Sequence, residues 1–204
     1  MITQKTAIPL ISSQIKHGAA VLARAFYDDP FFTFVLPDAN KRTRVLTWLF
    51  RKTILYGIYY GRVYTTPSLD GIAMWLGPKD TNLKMMGTFL TGLFLLPLKL
   101  SLHELQRSLL LSGFADQMHK KSVIGPHWYL YGLGIEPSQQ GQGIGNTVLR
   151  PILAQADRDT LVCYLDTNNE KNLPFYERQG FVVLDHGQAT QNSPHTWIML
   201  RKPK

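Results

Sequence analysis

The chain has 204 residues, 45% of them hydrophobic and 18% charged, with a formal net charge of +8. That length and apolar content suit one folded domain with a full core and exclude disorder as the main state. The single cysteine, Cys163, excludes an internal disulfide, and no Cys/His group has metal-ligand spacing, so neither a disulfide scaffold nor a zinc module is tenable and no metal is expected.

The excess charge is unevenly placed: residues 1–125 carry 15 Lys/Arg against 7 Asp/Glu, and residues 126–204 carry 7 of each. The densest basic cluster is only Lys41, Arg42 and Arg44, without interleaved aromatics, so it reads as a solvated helix face and a nucleic-acid partner is not expected. Residues 1–21 lack the basic flank and apolar run of a secretory signal, which predicts a cytoplasmic location.

In chain order, Ile15, Ala19, Leu22 and Phe26 recur at helical spacing and predict a first helix that the Asp28-Asp29-Pro30 turn ends. A second helix is predicted from Asp38 to Tyr59, and Arg62–Thr66 and Gly71–Leu76 form a predicted hairpin across Pro67-Ser68-Leu69-Asp70. Residues 80–124 carry Leu, Met and Phe at helical spacing, broken by Pro97 and Gly113, and read as an inserted helical layer. The most apolar stretch, Met85 to Leu98, is 14 residues long, too short for a bilayer span. It reads as core helix, with membrane contact not expected; the rival is a peripheral enzyme using this stretch to reach a lipid-like amine. Beyond it come a strand from His127 to Ile135, a helix from about Gly143 to Asp157, and a strand from Leu161 to Asp166. A short helix around Lys171–Gln179 and strands at Phe181–Asp185 and Thr196–Arg201 follow. Pro151 falls inside the predicted helix after Gly143, where it removes the N–H bond to Thr147 and predicts a kink.

Between that strand and helix stands Glu136-Pro137-Ser138-Gln139-Gln140-Gly141-Gln142-Gly143-Ile144-Gly145. Glycines there let backbone N–H groups approach a phosphate, and a helix N-terminus adds about half a positive charge. A Walker A loop fails for want of a Gly-Lys-Ser/Thr ending. A dinucleotide fingerprint gains apparent support from Asp166 some 20 residues on, but it needs glycine where Asn146 stands.

The run Pro137-x-x-Gln140-Gly141-x-Gly143-Ile144-Gly145 resembles the coenzyme A pyrophosphate motif of the GNAT superfamily of N-acetyltransferases. Leu165-Asp166-Thr167 followed by Asn172 to Phe181 resembles that family's Asn-x-x-x-Tyr-x-x-x-Gly-Phe segment. A narrower likeness, carried by Asn172 to Phe181, Thr196 to Lys202 and Ala25 to Pro30, is to the puromycin N-acetyltransferase group. The resemblance implies an α/β fold of GNAT type, with a mixed, mostly antiparallel central sheet flanked by helices. It implies one N-acetyltransferase domain over residues 1–204, with a helical insertion at about 80–124 and a coenzyme A core at about 127–204.

It also implies acetyl-CoA as co-substrate and a small-molecule primary amine as acceptor, acetylated by direct attack on the thioester. By the same match Gln140, Gly141, Gln142, Gly143, Ile144 and Gly145 hold the diphosphate, Leu133, Gly134 and Ile135 run beside the pantetheine, and Asn172 contacts its amide or acetyl end. Tyr176 is the implied general acid for the departing thiolate. A phenol with a pKa near 10 stays protonated at pH 7, above a free thiol near 8.5, which fits that role. Asp28 and Asp29 close a helix whose dipole opposes negative charge, so they either meet a cationic acceptor or open a turn. Trp75, Trp128 and Tyr131 lie on predicted strands and are candidate walls of an acceptor pocket, or core. Glu136 is expected to be solvated, and Cys163 lacks the partner that a nucleophile needs. The base, a carboxylate or a water chain, stays open, as do monomer against homodimer and an enzyme against a non-catalytic acyl-CoA sensor.

Overall fold

The computed structural model describes residues 6–79, 81 and 83–204. Its centre is a seven-stranded sheet in the order β1-β2-β3-β4-β5-β7-β6. The strands are β1 (Ile8–Pro9), β2 (Gly61–Thr65), β3 (Gly71–Leu76), β4 (His127–Ile135), β5 (Val162–Thr167), β6 (Val182–Gln188) and β7 (His195–Arg201). Every neighbouring pair is antiparallel except β4 and β5. This mixed, mostly antiparallel sheet flanked by helices is the fold class expected from the sequence.

One face carries α1 (Ile15–Ala25) and α3 (Ala39–Tyr60), whose Leu22, Leu46 and Ile54 pack on Ile72 and Met74 of β3. On the same face α5 (Leu102–Ser122) lays Met118 and Phe114 against Tyr164 and Ile198. The other face is covered by α6 (Ile144–Arg158), whose Val148, Leu149, Ile152 and Ala156 form an apolar stripe at helical spacing and meet Trp75, Trp128, Cys163 and Leu165. A single helix runs through Pro151.

Local signals fix these elements. Asp38 caps α3 by accepting from Lys41 N–H at 2.9 Å, and Ser101 and Glu104 form a reciprocal capping box at the start of α5. Two elements were not anticipated. Two-residue β1 is too short to show a period, and α2 (Pro30–Val35) starts where the sequence reads only as a turn. Asp29 is the N-cap of α2, accepting from Phe31 N–H at 3.0 Å, with Pro30 inside the first turn.

The insertion differs from its expected packing. It forms α4 (Met85–Thr91), a 3-10 segment over Leu93–Lys99, and α5. Met85, Met86, Phe89, Leu90, Phe94 and Leu98 are exposed, so the core-helix reading of this stretch is corrected. Its inner contact is small: a Cβ on Gly87 would lie 2.5 Å from the Tyr56 ring and 2.8 Å from Tyr60, so glycine lets α4 sit on α3 while its other face points out. No helix among the described residues is long and apolar enough to cross a membrane.

Candidate active site

Two irregularities in β4 create the site. First, β4 and β5 pair only over His127–Tyr129 and Val162–Tyr164 and then part, leaving residues 130–135 paired with β3 alone among the described residues. A parallel pair that splits leaves one row of backbone N–H and C=O groups open to an added extended ligand. Second, a bulge interrupts the β3–β4 register, with Met74 opposite Gly132 and Trp75 opposite Leu130, so Tyr131 is the extra residue.

A cavity of about 570 Å³ reaches this split. Its floor is Tyr129 to Leu133 of β4 with Asp166 and Thr167 of β5, and its walls include Phe26, Phe32 and Phe50. Leu83, Leu96 and His119 come from the insertion, and Asn172 and Tyr176 close the far side. Tyr176 sits on α7 (Leu173–Arg178), is 7% exposed, and packs edge-on against Phe175 and Phe181. It also belongs to the core under α6, so its ring reaches the cavity from the opposite side of the sheet, where β4 and β5 diverge.

The cavity holds two half-buried carboxyl groups. Asp29 is pushed up to about 6, first by loss of solvent, against the opposing hydrogen bonds from Phe31 and Phe32 N–H and with the Asp166 charge adding to the rise. Burial likewise raises Asp166, although its carboxylate accepts from the Tyr129 hydroxyl at 2.7 Å. Burial, then Asp29, then Asp166 push the Tyr176 phenol upward, so it stays protonated at neutral pH. Burial, then Asp166, then Tyr56 carry Tyr131 to about 12. These couplings put two carboxyl groups and a protonated phenol in one chamber. The sequence offers Asp166 as apparent support for a dinucleotide fingerprint and as part of the Leu165-Asp166-Thr167 likeness, with no role in the site. Its signal was a carboxylate ending an otherwise apolar strand, Cys163-Tyr164-Leu165-Asp166.

A histidine pair adjoins the same floor. His127 Nδ1–H donates to the Gly125 carbonyl at 2.8 Å, which leaves its Nε2 to accept from His119 Nε2–H at 2.8 Å. The His119 ring stacks flat on Tyr164 with centroids 3.9 Å apart, and burial, then His127, lowers it to about 4, so both rings are neutral at pH 7.

The glycine turn has an open geometry. Gly141 and Gly143 adopt φ of +76° and +77°, and a Cβ at either would meet nothing within 4 Å, so the turn faces open space. Gly143 is the N-cap of α6, no side chain caps that end, and no acidic residue occupies its first turn. The first N–H groups of the helix therefore lack helical partners and carry the positive dipole end outward. Such a loop fits a diphosphate by its own chemistry. Gly145 has another reason to be glycine, since a Cβ there would lie 2.8 Å from Phe175. Gly134 is likewise a packing position against Leu22 and Ala25 of α1. Gln140 is exposed and reaches back to the Ile135 carbonyl at 3.4 Å.

Other expected residues lie elsewhere. Trp75 and Trp128 are 0% and 2% exposed in the core under α6, because alternation along β3 and β4 sends them to the face opposite Met74 and Tyr129. They do not line the cavity, whereas Tyr131 does. Asp28 lines a separate depression beside Arg24 and Thr43. Glu136 is not solvated alone: Arg24 Nε and Nη2 hold it at 2.9 and 2.6 Å, tying α1 to the end of β4 and offsetting a carboxylate beside the glycine turn. Cys163 is buried in the core and burial pushes its thiol up to about 12, which leaves no thiolate for covalent catalysis. No His/Cys/Asp/Glu group able to hold a metal occurs among the described residues.

The Acetyltransferase (GNAT) family model matches residues 112–181, which span the end of α5, β4, the glycine turn, α6, β5 and α7. An uncharacterised N-acetyltransferase of Schizosaccharomyces pombe is 27% identical over 199 residues, covering 93% of this chain and 80% of that protein. A Corynebacterium glutamicum structure, described as histone acetyltransferase HPA2 and related acetyltransferase, superposes with a TM-score of 0.68 at 20% identity, covering 98% of this chain and 97% of that one. Arylalkylamine N-acetyltransferase 2 of Aedes aegypti gives 0.62 at 11% identity, covering 99% and 100%. The two structures share the fold. In sequence, this chain is similar to the family model over residues 112–181 and to the yeast relative along most of its length.

Proposed function

We propose that this chain, with the fold and the family match of the GNAT superfamily, moves acetyl from acetyl-CoA to the primary amine of a small molecule by direct attack. The carrying observation is that a protonated Tyr176 and two half-buried carboxyl groups, Asp29 and Asp166, share one cavity at the split between β4 and β5. The amides of Gln140 to Gly145 would hold the diphosphate, the open edge of β4 at Leu133, Gly134 and Ile135 the pantetheine, and Asn172 its inner end. When bound, acetyl-CoA supplies the thioester carbonyl that is attacked and the sulfur that departs.

The chain's own residues supply the proton traffic. An alkylammonium with a pKa near 10 must lose a proton before it attacks. Asp29, at about 6, is ionised at pH 7 and takes that proton, while Asp166, accepting from the Tyr129 hydroxyl, lines the same chamber. Tyr176 holds a proton at its hydroxyl for the departing sulfur. The nitrogen gives up two protons, the first to Asp29 before attack and the second as the amide forms. The second replaces the proton that Tyr176 hands to the sulfur, and Asp29 passes the first to solvent, so the site regains its starting charge with one proton released per turnover. The aromatic walls exclude water and accept the organic body of the acceptor. In this reading residues 1–204 work as one cytoplasmic unit, residues 80–124 shaping the acceptor side and residues 127–204 the coenzyme side.

The test is release of free thiol when the purified chain is given acetyl-CoA and a panel of amines. The likeness to the puromycin N-acetyltransferase group puts puromycin on that panel. Turnover with at least one amine supports the proposal. Thermal stabilisation by coenzyme A with no thiol release for any amine would replace it with the sensor reading.

A further inference from the structure

The proposed chemistry leaves one large feature unused, the outer surface of the insertion. Met85, Met86, Phe89 and Leu90 are 86%, 65%, 62% and 66% exposed on one side of α4, opposite the Gly87 and Thr91 side that meets α3. Phe94 continues the surface by stacking on Phe89 with ring centroids 4.9 Å apart, and Leu98 is 80% exposed further along. Apolar side chains clustered in this way, and not scattered singly, mark a surface that meets something apolar.

The charge around them says what. From Thr81 to His103 the sequence has no Asp or Glu, and Lys84 and Lys99 bracket the apolar run. Lys52 of α3 lies beside the middle of it, its Nζ 3.3 Å from the position a Cβ on Gly92 would take. Lys52 and Lys99 both approach the Trp48 ring, at 6.0 and 5.8 Å, which gathers them at one edge. The surface is therefore an apolar patch with a basic border, in the half of the chain that holds the whole +8 excess. A second copy of the chain bound through the same patch would set that border against itself, which opposes a two-fold pair. An anionic bilayer complements both parts, taking the Met, Phe and Leu side chains below its headgroups and the lysines among its phosphates.

We propose that α4 and the 3-10 segment after it form an interfacial anchor that seats this protein on an anionic lipid surface without spanning it. The consequence reaches the active site. Leu96 of the 3-10 segment and Leu83, just before α4, line the acceptor cavity, so the surface that receives Phe89 and Leu98 lies against the chamber's outer wall.

Co-sedimentation of the full chain with vesicles tests this. Vesicles holding about 30% phosphatidylserine in phosphatidylcholine should bind it, pure phosphatidylcholine should bind it far less, and each lysine replaced by glutamine among Lys52, Lys84 and Lys99 should weaken binding by about fivefold. The triple substitution Met86→Ser, Phe89→Ser and Leu90→Ser touches exposed side chains only. It should abolish sedimentation while leaving the thermal midpoint and the coenzyme A stabilisation unchanged. Failure to bind phosphatidylserine vesicles at low salt overturns the proposal. So does a concentration-dependent dimer, seen by analytical ultracentrifugation, that the triple substitution dissolves.

Discussion

At the residue scale, the two groups with opposed tasks are Tyr176 and Asp29. Tyr176→Phe removes a proton donor and little volume, so turnover is expected to fall by about 10²- to 10⁴-fold. The affinity for acetyl-CoA, measured by calorimetry, should stay within a few-fold. Equal turnover in the variant would take Tyr176 out of the mechanism. Asp29 is harder to read from sequence, because a carboxylate before proline at the end of one helix and the start of another is fully accounted for as a cap. Only the folded chain adds the loss of solvent and the nearby Asp166 that lift it to about 6. A group raised from near 3.9 to about 6 costs stability when ionised, by about 3 kcal/mol at pH 7 as an upper figure. Asp29→Asn keeps an oxygen to cap Phe31 and sheds that cost. The expected variant is more stable than the parent at pH 7 to 8, read by denaturant unfolding, and nearly inactive. In the parent, kcat/KM should rise with pH through about 6 as Asp29 ionises. A variant that was both less stable at that pH and fully active would remove Asp29 as the base.

At the element scale, the glycine turn and α5 make opposite predictions for the same substitution. Gly141 sits at φ +76°, where a side chain costs about 1 to 2 kcal/mol, and its outward face is open. Gly141→Ala should therefore lower the thermal midpoint and weaken coenzyme A binding together. Gly113 lies within α5, with no neighbour within 4 Å of a Cβ, so Gly113→Ala should raise stability by about 0.5 to 1 kcal/mol and leave coenzyme binding alone. Unfolding curves and coenzyme titrations on the two variants separate the effects. These elements also show what was legible beforehand. The strand, turn and helix from His127 to Arg158 are legible because a short run apolar on both faces ends at a cluster of turn residues and glycines and gives way to a helical pattern. The split between β4 and β5 was not, since it depends on which strand pairs with which. Trp128 and Tyr131 were grouped as one wall although they stand three residues apart on a strand and so face opposite sides. Trp75 and Met74 repeat the point on β3. The exposed run from Met85 was misread because an apolar segment at helical spacing looks the same whether its stripe meets the protein or something outside it.

At the scale of the whole molecule, the buried titrating groups act against each other, and their balance sets the acid limb of stability. His119 is lowered from 6.5 to about 4, so the folded state resists its protonation and stability falls as pH drops from near 6.5 through 4. The shift corresponds to about 3 kcal/mol. Asp29, raised to about 6, does the reverse: its contribution is fully present below about 4 and lost as pH rises through 6. The two windows coincide and the two magnitudes are alike, so unfolding free energy should be nearly flat between about pH 4 and 6.5. Below that range the carboxylate of Asp157 comes into play. It is held below its usual value by Arg201, which grips it with two bonds of 2.8 Å and joins β7 to the end of α6. Its contribution is present above the unfolded value near 4 and disappears as pH falls further. Denaturant unfolding from pH 3 to 8 on three proteins checks the balance. The parent should hold a plateau and then drop below about 4. Asp29→Asn should lose the plateau and slope downward from about 6.5, because Asp29 no longer offsets the lowered His119 and His127. His119→Gln should slope the other way, gaining stability as pH falls from about 6.5 to 4, because the raised Asp29 and Asp166 then outweigh the lowered His127. Parallel curves for all three would mean that neither group is perturbed by its burial, and the acidic chamber proposed for the acceptor would lose its base.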